Sequence, residues 1–224
     1  MLPRFGLPFF KMNKQPTLKT GELKLGEVSK QIPWTRMPDD SGDFLFCKLN
    51  DHPDLVEEGA FLIAQRIHSM RLDNPCFVTP EASTIAIAHV LRQQYDLEGL
   101  VLYKNKLLND IDPVSVTYDS VTATDKKQLF LGLNRLSEIE NRDIIIIDSI
   151  CTTGGTIRGA CELLLKAGIP ADRIKEAMVL FVEGAPRDYI TMNSGETLKL
   201  HSFSTLPVIQ EVSPVKSIKF DNIY

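Results

Sequence analysis

Residues 143–148 read Asp-Ile-Ile-Ile-Ile-Asp, and Ser149, Ile150 and Cys151 lead on to Thr152-Thr153-Gly154-Gly155-Thr156 and a strongly helical stretch. Such an aliphatic run, without apolar/polar alternation, suits a strand covered on both faces, as in the middle of a parallel sheet. Ligands of open parallel sheets sit beyond the carboxyl ends of the strands, where Asp148 would lie. The threonines and glycines would then precede a helix N-terminus, whose free N–H groups and positive dipole end favour an anion. Two glycines let the backbone curl around a phosphate, and the threonine hydroxyls add donors. A carboxylate just before such a nest would repel a phosphate, so Asp148 must face another part of the ligand. A vicinal diol is the natural choice, which makes a ribose 5-phosphate a chemical fit. No Lys follows the glycines and there is no GxGxxG, so neither a nucleoside-triphosphatase loop nor a dinucleotide fingerprint is present.

The elements that position these residues follow from periodicity. Over residues 54–70, Val56, Ala60, Ile63, Ile67 and Met70 recur at helical spacing, with Asp54 as N-cap. Strands are expected at 75–81, 99–104, 114–118, 128–132 and 176–183, and helices at 82–94 and 156–167, the last closed by Gly168 and stopped by Pro170. A mobile polar loop is expected to join 114–118 to 128–132. Strands alternating with helices predict an α/β fold: a central parallel sheet flanked by helices on both faces, with right-handed crossovers. The ends fit less well. Residues 1–53 are read as an N-terminal arm or hood element, 54–183 as the core, and 184–224 as a C-terminal hood element, the two ends forming a small cap.

Composition narrows the function. The chain has 224 residues, 43% of them hydrophobic, and a net charge of −4, ordinary for a soluble protein. Lys and Arg are dispersed, so no nucleic-acid partner is expected. Cys47, Cys76, Cys151 and Cys161 lack CxxC spacing and neighbouring histidines, arguing against a zinc site or disulfide framework and for a reducing cytosol. The opening MLPRFGLPFF is too short and too broken by proline and glycine for a membrane span, and is read as a surface arm. His52, His68, His89 and His201 are scattered, and no nucleophile or metal cluster for a sugar-phosphate hydrolase is visible.

IIIIDSICTTGGT, residues 144–156, resembles the phosphoribosyl-diphosphate-binding motif of the type I phosphoribosyltransferases at all but one defining position. The departure is Ser149, where that family usually has a second carboxylate. The resemblance continues in order over residues 75–183. VTPEASTIAIA (78–88) is similar to the turn of the adenine and xanthine members that binds pyrophosphate through backbone N–H groups, which implicates Glu81, Ala82, Ser83 and Thr84. VLYKNK (101–106) is similar to the strand that delivers a basic residue to the pyrophosphate, implying Lys104, with Lys106 as alternate. Residues 114–132 resemble the flexible closing loop, with Tyr118, Lys126 and Lys127 as leaving-group contacts.

The resemblance implies a transferase that displaces pyrophosphate from C1 of phosphoribosyl diphosphate by a nucleobase nitrogen. Asp148, Lys104 and Tyr118 would carry the chemistry. Asp148, Ser149, Thr152, Thr153, Gly154, Gly155 and Thr156 would hold the ribose phosphate, and Ile150 and Glu183 the base. Mg²⁺ would be held mainly by the substrate, without a direct protein cage. Thr152 stands where hypoxanthine and guanine members have Asp, so a purine of the adenine or xanthine type is expected, with Phe5, Phe9, Phe10 or Trp34 available to stack. A cytosolic homodimer is the family's habit. Ser149 keeps open a second reading: a sensor of phosphoribosyl diphosphate, or a catalytically silent subunit.

Overall fold

A computed structural model of the chain describes residues 19–36, 43–45, 47–119 and 126–207. Phe5, Phe9, Phe10 and residues 120–125, most of the expected mobile loop, lie outside these. The elements in order are β1 (Thr20–Leu25), β2 (Val28–Arg36), β3 (Asp43–Leu45), α1 (Pro53–Ser69), β4 (Pro75–Pro80), α2 (Ile85–Tyr95), β5 (Gly99–Leu102), β6 (Val114–Tyr118), β7 (Lys127–Leu131), β8 (Asp143–Cys151), α3 (Gly155–Lys166), β9 (Ile174–Glu183), β10 (Tyr189–Thr191) and β11 (Thr197–Leu206).

Six strands form the main sheet in the order β10-β11-β9-β8-β4-β5. All neighbours are parallel except the hairpin pair β10 and β11. β8 sits between β4 and β9, and its aliphatic run is divided by the pleat. Ile144 and Ile146 join Ile157, Ala160 and Leu164 of α3 on one face. Ile145 and Ile147 join Ile63 and Ile67 of α1 and Ile87 and Leu91 of α2 on the other. All four isoleucines are essentially inaccessible. Each contributes roughly 1.5–3 kcal/mol by burial, so a register slip of β8 is strongly disfavoured.

Three expectations are corrected. α1 begins at Pro53, whose missing N–H costs nothing at the first helical position. Asp54 therefore lies inside the first turn, where it pairs with Lys30 instead of capping. α3 begins at Gly155, one residue earlier than expected. Residues 189–206 belong to the sheet rather than to a cap: β11 pairs with β9 from Leu200 to Leu206 and extends the sheet, with β10 at its edge. The mixed polar pattern of TLKLHSFSTL hid this, because β11 is only partly covered.

At the other end of the chain, β1, β2 and β3 form a separate antiparallel meander. Its Leu23, Leu25, Ile32 and Leu45 share one core with Leu55 and Val56 of α1 and with Leu206 of β11. Ser204 Oγ also donates to the Lys24 carbonyl at 2.6 Å. The meander is thus fused to the sheet beside the carboxyl end of β11.

The amino ends of the strands carry buried ion pairs. Glu176, only 2% exposed, receives Arg66 on both carboxylate oxygens, at 3.2 and 3.1 Å from Nη2, and Lys199 Nζ at 3.4 Å. Breaking such a pair strands a charge, whereas replacing both partners by apolar groups need not. Arg66→Met should lower unfolding free energy by about 2–3 kcal/mol, below the usual 3–5 because Lys199 stays in reach. Arg66→Met with Glu176→Met should recover most of that loss in chemical denaturation. A double variant less stable than the single one would show that the pair acts through packing rather than charge.

Candidate functional site

The carboxyl ends of β4, β5, β8 and β9 open onto one cavity of about 370 Å³. β8 brings Asp148 there, 8% exposed, with Oδ1 accepting the Ser149 N–H at 2.7 Å. Thr79 of β4 locks the neighbouring strand end by donating its hydroxyl to the Ile147 carbonyl at 2.7 Å.

The loop after β8 closes on α3 through backbone shape. Gly154 takes a left-handed φ of +81°, and a Cβ at Gly155 would lie 2.1 Å from the Asp119 carbonyl oxygen, so a side chain there would collide with backbone. The first turn of α3 consequently presents its N–H groups at the cavity, the geometry of an anion nest. Arg158 Nη1 braces the loop from behind by donating to the Thr153 carbonyl at 2.9 Å. Thr152, Thr153, Gly154, Gly155 and Thr156 all line the cavity.

On the β4 side, Glu81 is stapled to the end of β5. Its Oε1 accepts the Lys104 N–H at 2.7 Å, and its own N–H donates to the Leu102 carbonyl at 2.9 Å. Glu81, Ala82 and Ser83 reach the cavity wall. The Thr84 side chain is fully buried and ties the turn together by donating its hydroxyl to the Pro80 carbonyl. Ser83 Oγ and Ser149 Oγ are hydrogen-bonded at 2.8 Å, tying this turn to the end of β8.

Two lysines enter from separate strands. Lys104 follows β5 and Lys127 opens β7, and both line the cavity, whereas Lys106 and Lys126 are exposed outside it. β6 and β7 pair as a two-stranded sheet, joined to the end of β5 by a bridge between Tyr103 and Phe130. Tyr118 packs on α3 so closely that a Cβ at Gly159 would lie 2.9 Å from its own. Burial pushes its phenol upward, helped by Asp148 and Glu81. Glu183, at the end of β9, accepts the Thr152 hydroxyl on Oε2 at 2.6 Å. Ile150 also lines the cavity.

The sequence reading did not find Leu45, Cys47 and Leu206, which also line the cavity. Leu45 and Cys47 come from the meander side, where nothing in the local pattern points at a cavity. Trp34, proposed for stacking, instead packs partly buried in the core shared by the meander and α1, and is not part of the wall.

Residues 48–198 match the family model described as the phosphoribosyl transferase domain. The chain is similar to the bifunctional protein PyrR of Pasteurella multocida, 27% identical over 184 residues that cover 76% of this chain and 93% of that protein. It is also similar to HGPRTase-like protein 1 of Haloarcula marismortui, 31% identical over 131 residues, 58% of this chain and 64% of that protein. Its fold superposes on the adenine phosphoribosyltransferase of Thermoanaerobacter pseudethanolicus with a TM-score of 0.58 at 16% identity, over 78% of this chain and 95% of that one. For the Giardia lamblia enzyme complexed with 9-deazaadenine the values are 0.56 and 16%, over 84% and 93%. Among the described residues no helix is long and apolar enough to cross a membrane.

Burial raises the Asp148 carboxyl from 3.8 to about 6, against the opposing pull of the Ser149 N–H, Lys104 and Lys127. A carboxyl raised in the folded state stabilises the fold while protonated, and that contribution is lost as pH climbs from about 4 through about 6. Without ligand, Asp148→Asn should therefore show a shallower loss of stability over this window. It should be the more stable protein above it, by at most on the order of 3 kcal/mol. Parallel stability profiles for the two proteins in pH-dependent unfolding would remove Asp148 as a strained charge.

Proposed function

The chain belongs to the phosphoribosyl transferase domain family, and from that premise we propose that it moves the 5-phosphoribosyl group of phosphoribosyl diphosphate onto a purine nitrogen, releasing pyrophosphate. The observation that carries this is the buried Asp148 carboxylate beside the anion nest of residues 152–156, with Lys104 and Lys127 across the same cavity.

In this reading the 5-phosphate occupies the nest and the ribose diol hydrogen-bonds to Asp148. The pyrophosphate lies toward residues 81–83 and Lys104, and the base under Leu45 and Leu206 against Ile150. The protein's work is positioning and charge stabilisation while the C1–oxygen bond breaks and positive charge develops on the ribose. Lys104 balances charge on the departing pyrophosphate, and the raised Tyr118 phenol stays protonated as a donor at neutral pH. The oxygens of Asp148, Ser83 and Ser149 are hard donors compatible with a hydrated Mg²⁺ carried by the substrate. When bound, that ion supplies further neutralisation of the pyrophosphate.

Base choice follows from Glu183. With Oε2 taken by Thr152, Oε1 is a further acceptor on a cavity wall to which Ile150, Leu45 and Leu206 also belong. An acceptor-only reader favours a base edge that donates, such as the amino edge of adenine, over a 6-oxo edge. The free thiols of Cys47, Cys76, Cys151 and Cys161 suit the reducing cytosol that completes the proposal, and a homodimer is what the family resemblance implies. The uncharged Ser149 supports one alternative, a protein that binds phosphoribosyl diphosphate without turnover, and the likeness to a protein named as bifunctional keeps a second task in view.

Incubating the chain with phosphoribosyl diphosphate, Mg²⁺ and each of adenine, hypoxanthine, guanine, xanthine, uracil and orotate should release pyrophosphate fastest with adenine. Binding without release on any base would favour the regulator, and no binding would sink both readings. Glu183→Gln, which offers a donor as well as an acceptor, should erode the preference for adenine over hypoxanthine by about tenfold in kcat/KM, or 1.4 kcal/mol. An unaltered preference would take Glu183 out of base recognition.

A further inference from the structure

We propose that a second cavity, formed where the β10–β11 turn folds over the carboxyl half of α3, binds a small organic cation: a primary ammonium carried on an apolar body the size of one ring. This cavity shares no lining residue with the one that holds Asp148.

The turn is shaped to cover the helix. Gly195 takes a left-handed φ of +87°, and the Met192 N–H donates to the Glu196 carbonyl at 2.8 Å, so residues 192–196 close tightly. Asn193 Nδ2 then donates to Glu162 Oε1 on α3, which holds the turn against the helix. A cavity of about 150 Å³ lies at this junction. Its buried lining is apolar, since Cys161, Ile174, Met192 and Leu198 are each at most 8% exposed. Leu165 of α3 lines the same cavity yet is 38% exposed, leaving a large apolar side chain for a ligand to cover.

The charge on this lining has one sign. Glu162 and Glu196 both belong to it, and no Lys, Arg or His does. Both carboxylates lie close enough to the free Cys161 thiol to add to the burial that pushes it up to about 11. Their hydrogen bonds among the described residues come from neutral groups, the Asn193 amide and the Ser194 hydroxyl at 3.4 Å. The cations nearest along the chain are committed elsewhere. Lys166 donates to the Ser115 carbonyl, Arg173 and Lys175 serve Asp143, and Lys199 serves Glu176. An apolar cavity on the order of 150 Å³ takes up a single benzene ring, so the volume sets the size of the ligand. The two carboxylates set its charge, because an ammonium beside them forms charge-assisted hydrogen bonds while its carbon body covers Leu165.

Amide NMR of the ¹⁵N-labelled full chain, titrated with benzylamine, benzyl alcohol and benzoate at neutral pH, tests this. Benzylamine, cationic under these conditions, should give saturable shifts centred on residues 161–165 and 192–198. Benzyl alcohol should bind at least about tenfold more weakly, and benzoate should leave the spectrum unchanged. Glu162→Gln with Glu196→Gln should bring the affinities for benzylamine and benzyl alcohol to within about threefold of each other. Cys161→Leu, which fills the floor, should abolish binding of both, and the glutamine pair decides the matter if that variant does not fold. No saturable shifts with benzylamine would overturn the site, as would shifts centred on residues 148–156 instead. Equal affinity of the wild-type chain for benzylamine and benzyl alcohol would overturn the assignment of a cation.

Discussion

The site depends on one constraint, the two-sided burial of β8. Because Ile144 and Ile146 are locked under α3 while Ile145 and Ile147 are locked under α1 and α2, the strand can neither slide nor rotate. Asp148 has the parity of Ile144 and Ile146, so it emerges on the α3 side, where the β6–β7 pair packs. The same aliphatic run that stabilises the sheet thus chooses which side of it carries the carboxylate. The charge is delivered into a poorly hydrated position because the strand leading to it is dry.

Small residues then decide how close the other parts come. Gly155 lets the backbone of Asp119 approach the anion nest, and Gly159 lets Tyr118 lie flat against α3. Side chains at these two positions would lift the β6–β7 pair away and Lys127 with it. The staple between Glu81 and the Lys104 N–H works similarly on the other side, fixing the end of β5 while leaving the Lys104 ammonium to point elsewhere. The segments carrying Tyr118, Asp119 and Lys104 are thus held at the cavity by close packing on α3 and by the Glu81 staple.

Much of this was legible because the relevant signals are local. The aliphatic run, the glycine-threonine loop and the amphipathic α3 each declare themselves within a few residues, and the phosphoribosyltransferase-like motif spans strand, nest and helix together. β11 was not legible, since a sheet strand with one partly open side reads as mixed polarity. Glu81 shows a second limit. Its position at the cavity could be anticipated, but its engagement with a backbone N–H twenty-three residues away could not. Leu45, Cys47 and Leu206 join the wall only through the docking of the meander on α1 and β11, a tertiary event with no signature in any of the three segments. The Thr84 side chain shows the same limit: it is buried and turned back onto the Pro80 carbonyl, a contact that the motif does not reveal.

The two ends of the sheet use buried charge in contrary ways. At the amino end, Asp143 receives the Asp73 N–H at 3.0 Å, Arg173 at 3.4 Å and Lys175 at 3.3 Å, and Glu176 is likewise enclosed by Arg66 and Lys199. These networks supply the partners that buried carboxylates require. At the carboxyl end burial outweighs the nearby charges: the Asp148 carboxyl is lifted to about 6 although the Ser149 N–H, Lys104 and Lys127 pull it down. Perturbed groups collected in a cavity mark functional sites because the missing stabilisation is what a ligand provides. A hydrogen-bond donor brought to Asp148 would replace the hydration that β8 removed. The contrast within one sheet argues that the imbalance belongs to the site, since the same fold satisfies buried carboxylates where no cavity opens.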